Sequence, residues 1–341
     1  MHSQPGAICA DWCRFVALGL VLLCLAAGCK QQDAPKSAPV ALAPVSLCCA
    51  TISQLPMVVA EQQGFFAEQG LAVQLKVLPM GQDALGALLK GECDFGVAAE
   101  PPVVESCAQR DDLRILGSVQ SSDNMIRLVG RQDRGVGTPL DLRGKRIGVV
   151  KGTNAHYFLE LFLNKHGLEA KDVVIVFMKS DELLAALTSG QVDALSMTNK
   201  VIVQAQQALG DKAVLMEAPG LYRSYLMLLT TSGLLAKRPG LAVPFLRALQ
   251  QAEDFIGKRP EEMVALGQAS QKISPAEIKQ LLGIYQYQLT LDHAMLMGLE
   301  DTNRWTLQQA GDSRRPVVNF LTLIAAEPLQ AVRPDSVRLA K

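Results

Sequence analysis

Polar residues able to hold a small ligand recur in this sequence at one kind of place, the turn after a short apolar run. Ser53 and Gln54 follow Leu47–Ile52, Gly81 and Gln82 follow Val73–Leu78, and Glu100 follows Asp94–Ala98. Further along, Thr153, Asn154 and His156 follow Arg146–Val150, Lys179 and Ser180 follow Val173–Phe177, and Thr198, Asn199 and Lys200 follow Asp193–Met197. Hydroxyls, amides and exposed backbone N–H groups in such turns hydrogen-bond an anionic or zwitterionic head group. Glu100 brings the opposite sign: a carboxylate here suits a ligand amine or other donor, and equally a helix cap or an ion pair with Lys200. Thr153 and Asn154 directly precede a predicted helix, so N-capping explains them by itself. Capping is compatible with ligand contact, because other N–H groups of the first turn stay unpaired. His156 enters that helix and faces either the ligand or the core.

The spacings of covalent, phosphate-binding and metal chemistry are missing from the sequence. Gly-x4-Gly-Lys-Ser/Thr, Gly-x-Ser-x-Gly, His-Glu-x-x-His and Cys-x-x-Cys do not occur, nor does Gly-x-Gly-x-x-Gly after the first strand. No catalytic residue, cofactor or metal is therefore expected. With 33 basic and 33 acidic residues the formal net charge is zero, which sets nucleic acid aside as a partner. Apolar residues at 49% and charged residues at 19% fit a globular chain.

Residues 1–28 read as a signal peptide. Phe15–Ala27 is an unbroken apolar run too short to span a bilayer as a helix. It ends Leu25-Ala26-Ala27-Gly28-Cys29, which resembles a bacterial lipobox, making Cys29 the lipidated first residue of the mature chain; an ordinary signal peptide containing cysteine is the alternative. The stretch 29–45, rich in Gln, Ala, Pro and Ser, then serves as a flexible tether. Of the eight cysteines, Cys48, Cys49, Cys93 and Cys107 lie beyond this leader. Cys48 or Cys49 can reach Cys93 if their strands are neighbours, but buried free thiols are the preferred expectation. Adjacent strand residues point to opposite faces, so Cys48 and Cys49 do not bond each other.

The elements that must position the polar turns form an internal repeat. Residues 46–102 read as strand, helix, strand, helix, strand, and residues 146–200 repeat that order. Leu88 pairs with Leu187, Gly91 with Gly190, Asp94 with Asp193 and Gly70 with Gly167. The glycines stand just past predicted helices, where a left-handed residue ends the helix. Strands alternating with helices imply parallel sheets, hence two doubly wound α/β lobes whose ligand site lies beyond the carboxyl ends of the strands.

Gly64-Phe65-Phe66-Ala67-Glu68-Gln69-Gly70-Leu71 followed by Leu88-Leu89-Lys90-Gly91-Glu92-Cys93-Asp94-Phe95-Gly96 resembles the ABC-importer binding proteins for nitrate, sulfonates, taurine and thiamine precursors. Asp141–Val149 followed by Gly152-Thr153-Asn154-Ala155-His156 is similar to that family's second-lobe opening, and the likeness runs from about Ser46 to about Val337. The resemblance implies a type II periplasmic-binding-protein fold with a two-crossing hinge, the crossings falling near Met125–Arg131 and Arg223–Thr231. Lobe one then comprises 46–128 plus 229–341, and lobe two 129–228. It also implies a small-molecule solute, a permease and ATPase as partners, a monomeric receptor lipid-anchored at the periplasmic face of a bacterial membrane, and hinge closure rather than catalysis. Many members carry an aromatic-acid-Pro turn where this chain has Thr198-Asn199-Lys200, which removes a stacking contact from that turn. The ligand itself stays open among nitrate, sulfonates, amino acids and pyrimidine precursors. Two other roles share the fold: a sensor reporting to a membrane partner, and a thiamine-pyrimidine synthase.

Overall fold

The computed structural model describes residues 41–50, 55–270, 274–311 and 317–339. The proposed leader, Cys29, most of the tether, and Ser53 and Gln54 lie outside the described residues. The first run of elements is β1 (Ala43–Ala50), α1 (Leu55–Gln62), α2 (Phe65–Glu68), β2 (Leu71–Leu78), α3 (Gly81–Leu89), β3 (Phe95–Ala99), α4 (Glu100–Cys107) and β4 (Leu113–Ser122). The second is β5 (Ile126–Arg131), β6 (Arg146–Val149), α5 (Asn154–Lys165), β7 (Val174–Phe177), α6 (Leu183–Ser189), β8 (Ala194–Thr198), α7 (Asn199–Leu209) and β9 (Ala213–Met216). The chain returns as β10 (Ser224–Thr231) and continues through α8 (Ser232–Lys237), α9 (Ala242–Lys258), α10 (Pro260–Ser270), α11 (Pro275–Ile284), α12 (His293–Ala310) and α13 (Glu327–Val332).

Two five-stranded sheets result, ordered β2-β1-β3-β10-β4 and β7-β6-β8-β5-β9. In each, the first three strands are parallel, as the repeat predicts. The fourth is antiparallel to both neighbours, so the sheets are mixed rather than wholly parallel. That slot is filled in each sheet by the strand that has just crossed from the other: β5 follows β4 after three residues, and β10 follows β9 after seven. The crossings thus fall immediately before β5 and β10, and the extended segments themselves are strands.

The matched aspartates do the same work in both repeats. Asp94 Oδ2 accepts from Ser46 N at 2.8 Å, and Asp193 Oδ2 accepts from Arg146 N at 3.0 Å. Each aspartate N–H returns a bond to the same partner's carbonyl. This two-way clamp ties the start of the third strand to the start of the first. Gly91 and Gly190, at φ 76° and 81°, close the preceding helices in the left-handed region. The one helix expected between the first two strands of the repeat is two, broken at Gly64 with φ 76°.

The cysteine expectation is corrected in part. Cys48 on β1 and Cys93, just before the adjacent β3, form a disulfide with Cα atoms 6.0 Å apart. Both lie in a small buried cluster with Ala84 and Ala87 of α3, whereas Cys49 points to the other face and joins the main core. Cys49 and Cys107 are buried and lie outside the disulfide. Long α9 covers that core, where Phe245 stacks on Phe95 and Phe66 at 4.2 and 5.3 Å.

Candidate functional site

The carboxyl ends of β3 and β8 face a cavity of about 260 Å³ walled by both sheets. Gly81 and Gln82 at the start of α3 line it from one side; Thr153, Asn154, Ser180 and Thr198 line it from the other. Seven of the sequence-nominated residues (Gly81, Gln82, Thr153, Asn154, Ser180, Thr198 and Lys200) therefore converge on one space. At position 81 a Cβ would come 3.3 Å from Ala98 Cα, a tight approach that glycine avoids.

Asn199 and His156 stand apart from this cavity. Asn199 donates its N–H to Met125 O at 2.9 Å, fastening α7 beside the first crossing. His156 is buried between Phe177 and Trp305, edge-on to both at 5.0 and 5.1 Å. Its Nδ1 accepts from Gly152 N at 3.4 Å, while Nε2 lies 3.3 Å from Glu160 Oε1 but misaligned for a hydrogen bond. It borders a second, more open cavity beside Lys151, Phe177 and Gln309, which shares Gln82 with the first.

Thr153 caps α5: its Oγ1 accepts from His156 N and donates to Val150 O at 2.8 Å. With the hydroxyl committed twice, the contribution of this end of α5 is the partial positive charge of a helix N-terminus. Lys200, in the first turn of α7, adds the one charged side chain among the described lining residues, and none of these is a carboxylate. Gln204, one helical turn further on, lines the same wall. Loop-based reasoning passed over Gln204, although its i+4 spacing from Lys200 is visible in the sequence. It also missed Met197 and Leu226, which with Val97 and Ala98 make the floor apolar.

Glu100 does not take the ligand-facing role expected of it. It is fully buried at the start of α4, does not line the cavity, and is bonded to the second crossing. Oε2 accepts from Tyr222 Oη at 2.9 Å and Ser224 Oγ at 3.2 Å, and Oε1 accepts from Tyr225 N at 2.7 Å. Burial pushes its carboxyl up to about 7, against the pull of these hydrogen bonds. Next to it Tyr157 of α5 meets Tyr222 edge-on at 5.2 Å, and Trp305 of α12 donates to Glu160 of α5 at 2.8 Å. Contacts from α4, α12 and the crossing thus fix α5, whose N-terminus is a cavity wall.

The family profile described as NMT1/THI5 like matches residues 52–263. Among curated proteins, a binding protein of Brucella abortus (strain 2308) is 24% identical over 224 residues, covering 65% of this chain and 69% of its own. The taurine-binding periplasmic protein of Escherichia coli (strain K12) is 26% identical over 163 residues, 45% of this chain and 50% of that one. The alkanesulfonate-binding protein of Xanthomonas axonopodis pv. citri, solved bound to MOPS, superposes with TM-score 0.68 at 22% identity, over 87% of this chain and 99% of its own. The desulfurization enzyme DSZB superposes with TM-score 0.61 at 17% identity, over 86% of this chain and 99% of that one. The fold is that of periplasmic binding proteins, and, with the matching profile spanning more than half of its length, the chain belongs to the NMT1/THI5-like family.

Proposed function

We propose that the chain is the solute-binding component of an ABC importer, capturing a small anion with an apolar, non-aromatic body by closure of two lobes. The observation that carries this reading is the cavity between the sheets. Its described walls set one ammonium, a helix N-terminus, hydroxyls and amides over an apolar floor, and they hold no carboxylate. An anion that brings apolar surface gains from both parts of that lining. With Glu100 turned away from the cavity, no described carboxylate is placed to receive a ligand amine, so the solute needs no cationic group. Alkanesulfonates fit this description, and the similarity to sulfonate- and taurine-binding proteins supports that class.

In this reading residues 1–28 are a signal peptide, Cys29 carries the lipid, and the stretch from 29 up to the start of β1 at Ala43, two residues short of the expected end of the tether, ties the receptor to the periplasmic face of a bacterial membrane. Lobe one holds β1 to β4 and β10 and lobe two β5 to β9; closed about its solute, the monomer presents both to a permease and its ATPase. A thermal-shift panel on the full chain in detergent tests the reading, using nitrate, alkanesulfonates, taurine, short carboxylates and a hydroxymethylpyrimidine. A solute at about a hundredfold excess over its Kd adds about 2.7 kcal/mol, a shift of several degrees. Alkanesulfonates are expected to give that shift and taurine a smaller one. Stabilisation by the pyrimidine alone refutes the anion assignment.

A further inference from the structure

A line of hydrogen bonds runs from buried Glu100 to the cavity wall. The Ser224 hydroxyl has one hydrogen, and an ionised Glu100 takes it at 3.2 Å. Ser224 Oγ is left an acceptor, and it receives Asn154 Nδ2 at 3.2 Å. The second amide hydrogen of Asn154 is turned toward Met125 Sδ at 4.0 Å. Oδ1 is then the atom that Asn154 has left for the cavity it lines. One proton on Glu100 reverses the order. The carboxyl donates to Ser224 Oγ, the Ser224 hydrogen turns to Asn154, and the amide rotates to offer Oδ1 to it, leaving Nδ2 for the cavity.

We propose that Glu100 is a specificity-setting residue that never touches the solute: through Ser224 it determines whether Asn154 shows the cavity an acceptor or a donor. The proposal deepens the solute-binding reading and rests on it. With Glu100 ionised the site selects an anion that carries a neutral donor, such as a hydroxyl, near Asn154. With Glu100 protonated it takes an anion that carries an acceptor there, so that a hydroxyl and an ether serve alike.

The position of the carboxyl near 7 puts both forms within the neutral range. The titratable groups facing it are Tyr222 and Tyr225 from the second crossing and β10, and Tyr157 from α5. Arg223 and Asp292 act on Tyr225, and Arg304 of α12 acts on Tyr157. On α5, His156 pairs with Glu160 rather than Glu100. Packed α3 brings only Asp83, whose carboxylate accepts from Met80 N at its own helix start, and β3 brings no titratable group.

The test has two arms, and the first needs no solute. In the full chain labelled with 15N asparagine, the Asn154 side-chain amide is identified by its loss in Asn154→Asp. It is expected to shift in one step near pH 7, and the step is expected to vanish in Glu100→Gln and in Ser224→Ala. An amide signal that ignores pH while the protein stays folded overturns the relay. The second arm is calorimetry, on either side of that step, with 3-hydroxypropane-1-sulfonate, whose hydroxyl donates and accepts, and 3-methoxypropane-1-sulfonate, whose ether only accepts. The hydroxylated probe is expected to gain about tenfold over the methoxy one at the higher pH, the worth of one hydrogen bond. Glu100→Gln, which can donate to Ser224 at every pH, is expected to hold the low-pH ratio throughout. A wild-type ratio that does not change with pH overturns the proposal and leaves solute binding standing. Failure of both probes to bind counts against the proposed solute, and the amide titration then decides the relay.

Discussion

The Cys48–Cys93 bond makes a quantitative demand on stability. Its two ends are 45 residues apart in the chain. Closing a loop of that length removes roughly 13 cal/mol/K from the unfolded ensemble, or about 4 kcal/mol at room temperature, in the chain-entropy treatment. For a protein of this size each kcal/mol moves the melting temperature by about 2–4 °C, so the bond is worth roughly 10 °C. The perturbation is Cys48→Ala with Cys93→Ala, chosen because the neighbours, Ala84 and Ala87, are themselves small and buried. Calorimetric melts of the full chain in detergent, with and without reductant, give the readout. Reductant should lower the wild-type melting temperature by close to the difference between wild type and the double variant, and should leave the variant where it was. A wild-type melting temperature indifferent to reductant, together with alkylation of Cys48 and Cys93 in unreduced denatured protein, refutes the reasoning.

Two further predictions concern buried carboxylates of opposite habit. The Glu100 carboxyl is raised from 4.5 to about 7, so the folded state holds a proton that the unfolded state has already lost. Stability should fall by about 3 kcal/mol as pH rises through that window and be level above it. Glu100→Gln should abolish the slope in urea titrations, and an unchanged slope contradicts the assignment. Asp193 goes the other way. Burial raises its carboxyl, but hydrogen bonds from the Arg146 side chain and backbone and from Arg134 outweigh this and hold it well below the usual range. Its stabilisation is present above the ordinary carboxylate range and is lost as the medium is acidified below it. Arg134 and Arg146 remain 37% and 39% exposed, so the pair is worth less than a dry one. Asp193→Asn should cost about 2 kcal/mol at neutral pH and much less in strong acid. A deficit of equal size at both extremes contradicts that account.

The repeat was legible because its signals are local. Asp94 and Asp193 sit three residues past Gly91 and Gly190, and both spacings follow from a helix that ends in a left-handed turn before a strand. The strand-end rule likewise brought Gly81, Gln82, Thr153, Asn154 and Thr198 to one cavity, since parallel strands place their following turns on the same edge. The antiparallel slots were not legible. Ser224–Thr231 reads as an extended apolar run, and nothing nearby says that its partners are Leu113–Ser122 and Phe95–Ala99, a hundred residues upstream. That hidden strand explains the misjudgement of Glu100. A carboxylate after a parallel strand is expected to face the ligand, but β10 and the crossing before it bring Tyr222, Ser224 and Tyr225 against it and bury it. The disulfide needed the order of the parallel strands, since Cys48 meets Cys93 only because β1 and β3 are neighbours. His156 was ambiguous because its two aromatic neighbours come from β7 and from α12, and the latter lies nearly 150 residues away in the chain.

The claim that the cavity between the sheets captures a small anion is tested most directly by calorimetric titration of the full chain with butane-1-sulfonate, in parallel with Lys200→Met. The account predicts one saturable site in the wild type and an affinity lowered by about tenfold to a hundredfold in the variant, as expected for loss of a charge-assisted hydrogen bond. Equal affinity in wild type and Lys200→Met, or no binding by folded wild-type protein free of carried-over solute, would contradict it.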